Sequence, residues 1–431
     1  MEISKSASRL KNIVGGVLSA SAFLCGAGAY AVDARIYQLG DGGAIAPHLA
    51  IEIGSDSNVL RQNDGSDSSM FVRLEPSLEY IVQRRNNRLT LSYEGDYYQY
   101  FEDFCREPRD ADCVNGDPQF DKASFQDHEI AAQGFLEITR QLRANVELER
   151  LNFHQPLGTG LSINAGRLAS LTEPDSIVRT NARVEVAYGA PLARGEVRFA
   201  LSNSNREFDN EAGLSESDFS PSGTILYRIG TKTQLFAGLS SSSVTGGNSP
   251  REISRQFVGI SIDASAITSG TFQLNNIRED YEGPRSDLDY IGWDVSFTWK
   301  PRRFSTVTVN GGRETSRGVF NLDNPDLATV VGDDIGITSE IGIDWRHFWR
   351  DRFSTDVDLR WLNNEGIDDQ ASGILGSDSD DTTFTLRLEG NYNLRRWLDV
   401  GAFVVTDFRD GLTDNRDFNR SLVGLTANGT F

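Results

Sequence analysis

The chain has 431 residues, with 42 Lys and Arg against 62 Asp and Glu and a formal net charge of −20, a balance that excludes a nucleic-acid partner held through its phosphates. Only Lys5, Lys11, Lys122, Lys232 and Lys300 are lysines, so the cation is overwhelmingly arginine, which stays charged and hydrogen-bonded inside a wall of carboxylates. Past the N-terminal leader no run of ~18 apolar residues occurs, which excludes membrane-spanning helices, while a mean hydropathy of −0.38 suits a transmembrane barrel, where only every second strand residue is apolar.

Lys5, Arg9 and Lys11 precede an apolar run from Ile13 to Leu24 and a small-x-small site at Ala29-Tyr30-Ala31, with a second at Ala27-Gly28-Ala29. This is the pattern of a secretory signal peptide. The expected organisation is a signal peptide over residues 1–31, a periplasmic segment over 32–45 and a barrel over 46–431. Leu24 before Cys25 argues against lipidation, which needs small residues there. With Cys25 removed, Cys105 and Cys113 remain in a polar stretch, and an oxidising compartment makes a loop disulfide the expected state. A metal site needs more ligands than two cysteines supply.

Strand periodicity then recurs along the chain. Ile335, Ile337, Ile341, Ile343 and Trp345 alternate with Gly336, Thr338, Glu340, Asp344 and Arg346. Phe353, Val357, Leu359 and Trp361 alternate with Asp356, Asp358 and Arg360, and Ile291, Trp293, Val295, Phe297 and Trp299 with Asp294, Ser296 and Thr298. A period of two means strands. Segments starting near Leu49, Val72, Leu89, Ile130, Ala144, Val178, Val197, Ile225, Leu235, Val258, Phe272, Ile291, Val307, Ile335, Phe353, Phe384, Leu398 and Leu422 read this way. The fold class predicted is all-β, a transmembrane antiparallel up-and-down barrel of about eighteen strands. A soluble sandwich also alternates, but it has no reason to sort its connections into short turns such as Gly230-Thr231 and long acidic loops such as Ser55–Ser69, Glu102–Ala123, Gln155–Ser176, Arg317–Gly332 and Asn363–Asp381. That sorting predicts short turns on the periplasmic side and loops outside, along the whole chain. Phe431, preceded on its own parity by Ala427, Leu425 and Val423, is the expected assembly signal for the barrel assembly machinery of a Gram-negative outer membrane.

Charged side chains cannot face lipid, so the polar parity must point inward. The lumen-lining residues expected are Arg73, Glu75, Glu94, Asp96, Glu137, Glu147, Arg179, Arg183, Glu185, Arg198, Asp294, Glu340, Asp344, Asp356, Asp358, Arg360, Arg387, Glu389 and Asp399. A wall stiffened by Arg–carboxylate pairs and a solute-recognising wall use the same residues. No catalytic role is expected. His48, His128, His154 and His347 belong to no nucleophile motif; His48 reads as a lumen residue and His347 as a turn residue beside Trp345 and Trp349. Asp378-Ser379-Asp380-Asp381 lacks the ordered spacing of a calcium loop and reads as a solvated loop. No cofactor and no metal are expected, and the partners are membrane lipid and lipopolysaccharide.

Ile53-Gly54-Ser55-Asp56-Ser57-Asn58-Val59-Leu60-Arg61, then Arg73-Leu74-Glu75-Pro76-Ser77-Leu78, Asn87-Arg88-Leu89 and Tyr93, Tyr97 and Tyr100, resemble the first hairpin of the β-barrel porin type 2 family over Pro47–Tyr100. Ser57 and Leu60 depart from the acidic and aromatic choices commoner there. The resemblance implies a passive conduit or scaffold in exopolysaccharide export, with polysaccharide export components as partners and no catalytic residues. A general diffusion porin for small solutes is the alternative. It would narrow its lumen with an inward-folded loop, for which Glu102–Ala123, with Cys105 and Cys113, is the expected segment.

Overall fold

Alternation with a period of two gives each segment one apolar and one charged face, and closing the sheet on itself satisfies both while leaving no unpaired edge. The computed structural model describes residues 36–40, 42–63, 67–102, 123–159, 173–190, 193–210, 212–247, 250–265, 267–283, 286–317, 335–366, 381–411 and 417–431. A three-residue strand β1 (Tyr37–Leu39) precedes β2 (Gly43–Asp56), β3 (Ser69–Arg84), β4 (Asn87–Tyr100), β5 (Phe125–Glu137), β6 (Leu142–Gln155), β7 (Asp175–Tyr188), β8 (Gly195–Phe208), β9 (Glu216–Arg228), β10 (Thr233–Gly246), β11 (Arg251–Ser265), β12 (Thr268–Tyr281), β13 (Leu288–Arg302), β14 (Ser305–Arg317), β15 (Ile335–Arg350), β16 (Phe353–Gly366), β17 (Asp381–Arg395), β18 (Leu398–Asp410) and β19 (Phe418–Thr430). Each barrel strand pairs antiparallel with the next, and β19 closes onto β2 from Leu422↔Asp56 to Thr430↔His48.

The eighteen strands β2 to β19 are the eighteen segments read from the sequence, one for one. The barrel begins at Gly43, three residues before the expected boundary. The segment ahead of it contributes β1, which pairs with Gly43–Ile45. The leader, with Cys25, lies outside the described residues.

The connections depart from the expected sorting in part of the barrel. Those after β8, β10, β12 and β18 are short, although they lie on the loop side. A span needs ~9–11 residues, whereas β10 has 14 and β11 has 15. The outward side chains at their loop ends are Ser241, Ser243 and Thr245 on β10 and Glu252, Ser254 and Gln256 on β11. There the sheet itself rises past the apolar band.

Registration fixes the two faces. The large exposed apolar side chains, among them Leu91, Ile130, Leu148, Val184, Phe199, Ile225, Leu239, Val258, Ile291, Ile343, Leu388, Val404 and Leu425, all fall on one parity, which is the lipid face. Near the short turns this band ends in aromatics. His347 packs against Trp349 at 4.4 Å, Phe304 at 5.2 Å and Trp345 at 5.6 Å between ring centroids, and Trp397 meets Phe431 at 6.1 Å. His347 is therefore not a turn residue: β15 runs on to Arg350, which makes it a member of the interfacial aromatic belt. Leu425, 66 % exposed at the middle of β19, tests the assignment of faces. Leu425→Arg is expected to destabilise the folded barrel by about 2–4 kcal/mol, read from its unfolding in lipid vesicles, whereas Ser222→Arg on the lumen parity of β9 should cost little. Equal effects of the two would invert the assignment.

Candidate functional site

The cross-strand registers group the charged residues on one parity of the sheet: Arg73 stands opposite Glu52 and Tyr98, Glu75 opposite Ala50, Glu94 opposite Glu129, Glu137 opposite Arg143, Glu147 opposite Arg183, Arg198 opposite Thr224, Asp294 opposite Gln273, Glu340 opposite Leu362, and Asp399 opposite Asn428. Most of these charges are tied to one another. Arg73 bonds Asp96 with Nε at 2.9 Å and Nη2 at 2.6 Å, and reaches Glu75 at 3.1 Å. Arg387 bridges Glu52 at 2.6 Å and Glu389 at 2.9 Å while lying over the Phe403 ring at 4.6 Å. Arg360 joins Asp358 at 2.9 Å and Asp344 at 3.2 Å, and Arg346 joins Asp356 at 2.6 Å. On the other wall Arg179 binds Glu149 at 2.9 Å, Arg183 binds Glu185 at 3.0 Å, and Arg143 and Arg198 share Glu196. A wall exposed to a water-filled lumen gains little from each pair. What it gains is fixed orientation of many donors and acceptors.

A second set of charges, at the seam where the first and last barrel strands meet, is not among the residues expected. Arg420 of β19 is fully buried and its guanidinium holds Asp56 at the end of β2, with Nε at 3.1 Å and Nη2 at 2.7 Å, and Asp407 of β18 at 3.3 Å. The Tyr100 hydroxyl donates to Asp56 at 2.8 Å. Beside it Arg409 binds Asp381 at 2.5 Å, both buried. Asp381 is thus the first residue of β17 and not part of a solvated loop; Asp378–Asp380 lie outside the described residues. Asp56 has the parity of Glu52, so extending the alternation four residues past Glu52 identifies it.

Around this seam the chain turns into the barrel. Asn58 donates its side-chain amide to the carbonyls of Gln62 at 2.8 Å and Asn419 at 3.0 Å, and accepts from the Gln62 N–H at 3.1 Å. The Ser57 N–H donates to the Ser421 carbonyl at 3.0 Å. This clip drives Val59 and Leu60, both completely buried, into a cluster with Phe71, Tyr98, Tyr100, Leu157, Phe403, Val405 and Leu422. Leu157 comes from the connection after β6. Gly158, at φ +76°, lets that connection lie against Leu60: a Cβ there would stand 1.8 Å from the Leu60 carbonyl oxygen. The chain packed inward among the described residues is thus 57–62 and 155–159. Residues 103–122 of the segment expected to narrow the lumen, including Cys105 and Cys113, lie outside the described residues. Ala123 at its end joins the same buried cluster.

The four histidines are dispersed. His48 faces the lumen opposite Ser77, His154 bonds Asp127 at 2.8 Å, His128 accepts or donates to the Tyr93 hydroxyl at 3.1 Å on the outer face, and His347 lies in the aromatic belt.

An antiparallel closed barrel with apolar outside, charged inside and an inward-folded segment at its mouth is a porin-like barrel of the outer-membrane type. Residues 43–222 match the family described as "Putative beta-barrel porin 2", which covers the whole of Pro47–Tyr100 and bears out the resemblance read there. No curated protein matches the sequence. Among solved structures the chain is similar to the outer membrane protein opdK from Pseudomonas aeruginosa, at 11% identity and TM-score 0.44, covering 91% of this chain and 100% of that one. A BenF-like porin from Pseudomonas fluorescens Pf-5 gives 10% identity and TM-score 0.44, covering 90% and 99%. The FrpB iron transporter from Neisseria meningitidis gives 9% identity and TM-score 0.45 over 86% of this chain, which spans 62% of that protein's length.

Proposed function

We propose that this chain is a passive diffusion channel for small polar solutes across the outer membrane. The observation that carries the reading is the segment 57–62 pinned inside the barrel mouth by Asn58 and the buried Asp56–Arg420 pair. Eighteen strands leave an aqueous lumen; a segment packed into that lumen takes up part of its mouth, and the paired charges of the wall give small solutes hydrogen-bonding partners without a deep binding site. Carboxylates on the wall give a modest cation preference.

A conduit for exopolysaccharide is the second reading. The lumen face of β8 to β10 favours it, because Ser202, Ser204, Ser220, Ser222, Ser240 and Ser242 form a hydroxyl-rich surface suited to sugar. Two measurements separate the readings. Vesicles carrying the purified barrel are expected to swell in small sugars and to stop swelling as the sugar lengthens, and a deletion strain is expected to keep normal surface polysaccharide. Loss of that polysaccharide with precursor retained inside the cell would move the assignment to export.

A further inference from the structure

At the loop end of β7 and β8 the Arg–carboxylate lattice of the lumen is interrupted. Arg179 and Arg206 stand directly opposite each other on the inner face, and like charges in that relation repel. Arg179 takes Glu149 at 2.9 Å, leaving its Nε buried without a hydrogen-bond partner. Among the described residues Arg206 is within ion-pair distance of no carboxylate, although Glu216 is its cross-strand neighbour on the other side. The charges acting on Arg206 are those of Arg179 and of Arg251 at the start of β11. Arg251 has a side chain 10% exposed, its Nε lies 3.3 Å from a Glu279 carboxylate oxygen, and its Nη1 is buried without a hydrogen-bond partner. Ser202 and Ser204 lie on the same face of β8 and carry small hydroxyl side chains.

We propose that Arg206, with Arg179 and Arg251, forms an oxyanion-binding subsite in the outer part of the lumen, taking the carboxylate or phosphate group of a passing solute. The inference rests on the diffusion-channel reading and names a solute class for it. Three guanidiniums with unspent donors match the fork geometry of a carboxylate or phosphate. A bound oxyanion removes the repulsion between Arg179 and Arg206. In a chain of net charge −20 this station offsets the field that otherwise turns anions away. The solute class that fits is a small metabolite or sugar acid.

The test uses the full-length barrel with inorganic phosphate and glucuronate as separate probes, chloride being the only other anion. In planar bilayers each probe is expected to reduce the potassium chloride conductance saturably, and in detergent each is expected to raise the unfolding temperature. Arg206→Gln should weaken both effects about tenfold, the loss of a charge-assisted hydrogen bond, and Arg206→Lys should fall between. Arg278→Gln on the outer face, where Arg278 pairs with Asp280, should match the parent. With chloride alone, Arg206→Gln should unfold at a higher temperature than the parent, because the like-charge pair is gone. A response to one probe only identifies which oxyanion the forks take. Conductance that neither probe reduces, with no rise in unfolding temperature, overturns the subsite and leaves the channel standing. A barrel that does not conduct, yet is stabilised by phosphate through Arg206, overturns the channel reading and keeps the subsite.

Discussion

Arg420→Ala is expected to cost more stability than any other single charge removal in the wall. The guanidinium is fully buried, with two carboxylates and a tyrosine hydroxyl around it. Removing it leaves Asp56 and Asp407 buried without the guanidinium that joins them, a situation worth about 3–5 kcal/mol for a buried pair broken on one side, which the charge of Arg61 near Asp56 offsets in part. The position magnifies the effect. Arg420 is in the last strand and Asp56 in the first, so the pair helps hold the closure between β19 and β2, which joins the two ends of the barrel sequence. The expected result is an unfolding temperature well below that of the parent and loss of the compact, heat-resistant form on gels. Asp407→Ala should be milder, because the contact of Asp407 with Arg420 is longer, at 3.3 Å, than the 2.7 Å of Asp56. Arg420→Met combined with Asp56→Leu should regain part of the loss, since apolar side chains of similar volume fill such sites without the desolvation cost. An Arg420→Ala barrel as stable as the parent would show that strand pairing alone carries the seam.

The fold was legible because a barrel repeats one instruction. Apolar and charged residues alternate in every strand, and the same rule that places Ile341, Ile343 and Trp345 against lipid places Glu340 and Asp344 in the lumen. Eighteen such segments specify strand number, order and facing without any long-range information, since each strand pairs with its successor. Limits appear where parity stops being informative. Asp56 and Arg420 obey the alternation, but their meeting depends on closure between residues 364 positions apart, which no local pattern reports. Val59 and Leu60 are two adjacent apolar residues after a strand end, a pattern that reads equally as a loop tip. Only the structure shows that Asn58 turns them inward. Similarly, Arg179 and Arg206 look like ordinary members of the inner parity. That they face each other follows from the register between β7 and β8, which is set by the whole hairpin.

The inward turn at Leu60 leads to the second large expected effect, on the pore itself. Val59, Leu60 and Leu157 are each 1% exposed or less, and complete burial of an aliphatic side chain contributes about 1.5–3 kcal/mol, so the three together anchor the segment by several kcal/mol. Leu60→Asp removes one anchor and places an unpaired carboxylate in an apolar cluster, a change the cluster cannot absorb. The segment's polar ties to the wall include those of Ser57, Asn58 and Arg61, whereas the strands on either side keep their full ladders. Undocking of residues 57–62 is therefore expected while the barrel stays closed. Single-channel conductance should rise, larger sugars should enter vesicles carrying the variant, and the unfolding temperature should fall far less than in Arg420→Ala. Gly158→Val reaches the same state by a different route, because a side chain at that backbone angle collides with the Leu60 carbonyl, and its conductance should rise likewise. If both variants conduct as the parent does, with the segment shown by protease cleavage to be released, the narrowest point of the channel lies elsewhere and residues 57–62 serve only the seam.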